Sequence, residues 1–195
     1  MICQQAIRRV DWTGSLAILA GAARPPHEQS RRDIEDSGMT TTSISVSTYL
    51  EFVASTLAAM ASTVRWLGDE RVNQRPRLPG ANSPYAIVVH CCGVMEWWGG
   101  HVIAGRPVSR DREAEFRATG TVRAAEQLLH TQHQRLLADL QGLQPDQPPR
   151  GGVPPGGEYG KRQPSQGHAA MHIYEELAQH KGHLDLTRDL LMATA

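Results

Sequence analysis

The stretch from Ser83 to about Ala104, SPYAIVVHCCGVMEWWGGHVIA, is apolar on nearly every side of a helix, and nothing else in the chain limits the fold as much. Ser83-Pro84 is a strong helix start, because the serine hydroxyl caps free amides and a proline at the first helical position gives up none that were paired. Gly105 and Pro107 supply the stop. A helix with Ile87, Val88, Val89, Val94, Met95, Trp97, Trp98, Val102 and Ile103 spread around it has no face to offer water. It belongs at the centre of a bundle.

Other helices fit around it. Thr48 and Glu51 have the spacing of a capping box and predict a helix start near Ser47. Leu50, Val53, Leu57, Met60, Val64 and Leu67 then recur at threes and fours, giving one apolar stripe to about Gly68. A third helix is expected from about Thr121 to Gln141, burying Val122, Ala125, Leu129, Leu136 and Leu140, and a fourth from about Gly167 to Met192. Asp69 to Asn82 and Arg106 to Gly120 read as polar links, and the Pro/Gly-rich Leu143 to Gly167 as a loop. About fifteen residues join the second and third helices, more than antiparallel neighbours usually use, so those two are expected to run parallel. No strand competes, and the fold class is an all-α four-helix bundle.

At 195 residues, one domain is the expectation, placed at 39–195. Residues 1–38 have little sustained periodicity and end in EQSRRDIEDSG, so they read as a flexible tail, or as the product of a mis-assigned start upstream of Met39. A short helix over residues 4–22 packing on the domain is the other reading. On the first, the tail is dispensable for folding. Lys plus Arg and Asp plus Glu balance at 20 each, which argues against nucleic acid or an anionic membrane as partner. Three cysteines, two of them the adjacent Cys91 and Cys92, make no disulfide framework and suit a reducing compartment. No uninterrupted apolar run reaches the roughly 18 residues that span a bilayer. Arg8-Arg9 ahead of SLAILAGAA is interrupted by Asp11 and Trp12 and lacks a cleavage site, so a cytoplasmic protein is expected.

The chemistry concentrates in two helices. In MHIYEELAQHKGHLDLTR, Glu176 and His180 are four apart, so a carboxylate and an imidazole stand side by side on the turn that also carries Ile173, Leu177 and Leu184 inward. His90 lies inside the apolar second helix, with Val94, Trp97 and His101 on its side; His101 is roughly 16 Å further along the axis and cannot share an ion with it. Each candidate has an ordinary explanation, a helix-surface Glu–His pair or a core histidine with its hydrogen bond satisfied. Held together in a bundle interior, two imidazoles and a carboxylate would be costly unless a divalent cation coordinates them, and the set suits zinc or another borderline divalent metal, with water in the open position. Glu175 points about a hundred degrees away. His183 either orients a ligand or meets substrate, or is simply solvated. His130 and His133 are read as a solvated face, and Cys91 and Cys92 as small apolar packing.

His90, followed by His172-x-x-x-Glu176-x-x-x-His180-Lys181-Gly182-His183, together with HCCGVMEWWGGHVIAGRPV and SRDREAEF, resembles the DinB-like superfamily. The closer likeness is to its actinobacterial branch, related to mycothiol-dependent maleylpyruvate isomerase and mycothiol S-transferases, and it covers about Met39 to Met192. The resemblance implies an up-down-down-up bundle with a metal at one end of its interior, held by His90, Glu176 and His180. Glutamate at 176, where many members have histidine, and His183, where many have glutamine, both fit that branch. It further implies a metal-dependent transferase or isomerase using a low-molecular-weight thiol, most plausibly mycothiol, with that thiol and an electrophile as small-molecule partners. A homodimer is compatible with all of this and required by none of it. Two alternatives stay open: a metal-dependent hydrolase with Glu175 or His183 as base, and a non-catalytic metal-binding stress-response module.

Overall fold

A computed structural model describes residues 43–153 and 164–193, so the expected tail at 1–38, Met39 and much of the Pro/Gly-rich loop lie outside the described residues. The described residues are helical and contain no strand, as expected for an all-α bundle. The long helices are α1 (Val46–Arg71), α2 (Pro84–Met95, continuing through Glu96–Ile103), α4 (Val122–Asp139) and α5 (Gln166–Ala193), with a short α3 (Arg112–Glu115) between α2 and α4.

The α1 stripe is buried as its spacing demands: Val53, Met60 and Val64 are fully enclosed, Leu57 and Leu67 nearly so, and Leu50 is half-buried at the rim. The cap differs from the Thr48–Glu51 box. Ser45 is the residue with extended backbone, and its hydroxyl accepts from the Thr48 amide at 3.0 Å. At the far end Gly68 adopts φ +70°, a conformation open to glycine, and breaks the helix where the apolar stripe ends.

Ser83 caps α2 as its sequence proposes, accepting from the Ala86 amide. By length and composition the stretch Pro84–Ile103 could cross a membrane, but 72% of its most apolar window is buried inside the bundle, which makes it a core helix. Beyond Met95 its turns widen, so that Ala104 donates to the Gly99 carbonyl at 2.9 Å, five residues back. Gly99 and Gly100 sit in this widened part. A Cβ on Gly99 would approach Leu136 Cδ1 to 2.6 Å, and one on Gly100 would overlap the Arg106 guanidinium, so bare backbone is what admits α4 and Arg106 so closely.

Cross-contacts set the directions. Tyr49 Oη donates to the Ala170 carbonyl at 2.7 Å and Thr63 Oγ1 to Asp185 at 3.3 Å, so α1 and α5 run the same way. Asp69 accepts from the Val122 amide while Arg65 pairs with Glu126 further along, so α4 runs against α1. Gly120 packs under Tyr85 and Gly99 against Leu136, which puts α4 parallel to α2. His172 meets Trp98 and His180 meets His90, each at 4.6 Å between ring centroids, so α2 and α5 are antiparallel.

The link after α2 is pinned by charge. Arg106 grips the buried Asp139 of α4 through two bonds of 2.7 and 2.9 Å and reaches Glu96 at 3.0 Å; Arg135 lies 3.4 Å from the other Glu96 oxygen. Burial by itself would raise the Glu96 pKa, but the hydrogen bond and charge of Arg106, with help from Arg135, bring it below its ordinary 4.5. A carboxylate depressed on folding stabilises the fold above its unfolded pKa, and that contribution is lost as pH falls through the folded value. Glu96→Gln is therefore expected to lower stability at neutral pH, with the gap to wild type closing as denaturation midpoints are measured below pH 4.5. An unchanged gap in acid would count against the network.

Candidate metal centre

His90 comes to the bundle interior because α2 is central, and it is only 1% exposed. Its Nε2 faces α5, where the four-residue spacing stacks Glu176 and His180. Glu176 Oε2 lies 3.6 Å from His90 Nε2 and 3.5 Å from His180 Nε2. These separations exceed a good hydrogen bond. One donor atom from each of the three residues falls within 4.8 Å of the others, the one such grouping of three among the described residues. His90 Nε2 and His180 Nδ1 are both buried with no hydrogen-bond partner. An unpartnered, buried His90 Nε2 beside an ionised carboxylate is costly in a bundle core, and a divalent cation relieves that cost by using its lone pair. Two nitrogens and an oxygen are donors that zinc accepts, so the residues fit the ion.

Contacts with His180 and then His90 hold the Glu176 carboxyl far below the usual carboxylate range, outweighing its burial. His183, one turn on, has its ring centroid 5.8 Å from that of His180. It is half-buried, and burial followed by the nearby His180 and His90 lowers its pKa, which leaves it neutral at pH 7. Burial, joined by repulsion from carboxylates including Glu115, pushes the Cys91 thiol well up and the Cys92 thiol to about 12. Neither is a nucleophile near neutral pH.

The other histidines stand elsewhere. His172 is buried edge-on to Trp98, with Nδ1 3.6 Å from the exposed Glu175. His101 stacks near Trp97 and reaches the carbonyls of Arg106 and Gly152, each at 3.1 Å. His130 is exposed. His133 is half-buried, with an unpartnered Nε2.

The sequence reading missed Glu115, Arg110 and Phe116, all in the supposed polar link. Glu115 is buried and its Oε2 lies 2.8 Å from His90 Nδ1, while Arg110 binds both of its oxygens at 2.7 and 3.0 Å. Burial would raise the Glu115 pKa; the hydrogen bonds from His90 and Arg110, with the Arg110 charge, lower it instead. Phe116 stacks on the His90 ring at 4.7 Å and 29°. A signal was present: Asp111 caps the turn through the Ala114 amide, and an acid next to an aromatic follows within SRDREAEF.

A family model described as Mycothiol-S-transferase matches residues 48–193, which is most of the chain and includes every residue of this site. No curated protein matches.

Proposed function

The chain belongs to the mycothiol-S-transferase family, and on that premise we propose that it is a zinc-dependent enzyme transferring the sulfur of mycothiol, or a thiol like it, to a small electrophile in the cytoplasm. The observation that carries the metal part is the buried, unpartnered His90 Nε2 facing Glu176 and His180. In this reading His90, Glu176 and His180 hold the ion. When bound, a divalent metal would favour thiolate over thiol near neutral pH.

The chain's own residues do the rest. Glu176 brings the negative charge that holds a cation, and the two imidazoles remain neutral donors. Phe116 covers one face of the His90 ring and keeps water from it. His183, kept neutral by its surroundings, is the base on the same helix able to take the thiol proton. The transfer forms a bond from sulfur to an electrophilic carbon, breaks the bond from that carbon to its leaving group, and releases the thiol proton.

The test is metal analysis of the purified protein followed by thiol consumption with an electrophile, before and after chelation and again after zinc is restored. We expect conjugation that falls on chelation and returns with zinc. Conjugation indifferent to the metal would remove the ion from the reaction. Bound metal with no thiol consumed would move the reading to a hydrolase or a binding module.

A further inference from the structure

We infer that Glu115 and Arg110, seated on Gly93, are positioning residues that hold His90 in the tautomer whose Nε2 lone pair faces Glu176 and His180; the metal part of this rests on the ligand reading proposed above. Arg110 grips both oxygens of Glu115, at 2.7 and 3.0 Å. A carboxylate held in this way is ionised and can only accept. The proton in the 2.8 Å contact between Glu115 Oε2 and His90 Nδ1 therefore sits on the histidine. Arg110 Nη2 is also 3.4 Å from Nδ1, but it is a second donor, and the shorter contact to the carboxylate decides. A neutral imidazole protonated at Nδ1 presents its lone pair at Nε2, the atom left buried without a partner. Phe116, the next residue, stacks on the ring and opposes its rotation.

Gly93 is a second, independent sign that this placement is built in. It lies one turn after His90 on the same side of α2. A Cβ there would overlap Glu115 Oε1, stand 2.7 Å from Glu115 Cδ and reach 3.2 Å from Arg110 Nε. Only bare backbone at 93 lets the carboxylate lie against α2 at the height of the imidazole.

The experiment uses the full chain with two readouts: zinc affinity by competition with a chelator, and the imidazole ¹⁵N shifts of His90 in metal-free protein. Glu115→Ala and Gly93→Ala are each expected to weaken zinc binding by about 10–100-fold, the usual effect of removing an outer hydrogen-bond partner of a ligating histidine. In both, His90 is expected to move from one tautomer to a mixture while helical content is unchanged. Glu115→Gln keeps an acceptor for Nδ1–H and should fall between. Arg110→Lys keeps the charge but not the two-point grip, and should shift both readouts in the same direction with little disturbance to folding. If wild type binds no zinc, the ligand reading fails while the tautomer shifts still decide the positioning. The inference is overturned if His90 holds the same tautomer in wild type and Glu115→Ala, or if zinc affinity is unchanged in both Glu115→Ala and Gly93→Ala.

Discussion

On the proposed metal reading, His90→Ala, Glu176→Ala and His180→Ala are each expected to strip most of the bound ion and, with it, thiol conjugation. Each removes one of the three proposed ligands, so the loss should exceed the roughly 10–100-fold that follows removal of an outer partner. The fold should survive, because Glu115 remains paired with Arg110 when His90 is gone, and Glu176 and His180 sit only partly enclosed. His130→Ala and His133→Ala serve as controls and should retain both metal and activity, since neither lies near the three donors. If metal content and conjugation survived His90→Ala and His180→Ala together, the site would be misassigned. If metal were lost from proteins that never consumed thiol, the site would stand and the transferase reading would fall.

The largest stability effect is expected from the packing that holds the same turn. Leu177 lies between the two α5 candidates in sequence and is fully enclosed, as are Ile173 and Leu184. Leu177→Ala removes buried carbon and leaves a cavity that a tightly packed bundle relaxes into only partly, a change that typically destabilises by about 2–5 kcal/mol. For a domain of this size that lowers the melting temperature by roughly 5–15 °C. Leu186, 65% exposed on the opposite face, provides the comparison. Leu186→Ala should remain within about 0.5 kcal/mol of wild type in denaturant titration. A Leu177→Ala protein as stable as the Leu186→Ala protein would mean that α5 is not packed as described.

The sequence made legible what periodicity and caps encode. The α1 stripe, the Ser83 cap and the glycine that ends α1 were all visible, because each is a local choice with a local physical reason. The three candidate ligands that the fold brings together were visible too, as a four-residue repeat on one helix and a lone histidine in an apolar stretch. The start of α1 was ambiguous because Ser43, Ser45, Ser47 and Thr48 are all capable caps, and the backbone picks among them. The widened turns after Met95 left no trace, because a helix apolar all round has no polar face to drift out of phase. Glu115 was hidden for a different reason. Its imidazole partner is on another helix, and the local cues, the Asp111 cap and an acid beside an aromatic, do not by themselves tell a buried acid from a solvated one.

The division of donors between α2 and α5 also orders events during synthesis. His90, Gly93, Arg110 and Glu115 leave the ribosome well before Glu176 and His180, which belong to the last of the described helices. On the zinc reading, His90 is the one of the three proposed ligands to have emerged before α5. Completion of the proposed site then becomes a late event that coincides with the docking of α5, and a polypeptide cut short before Gln166 would be an incomplete bundle lacking two of the three proposed ligands.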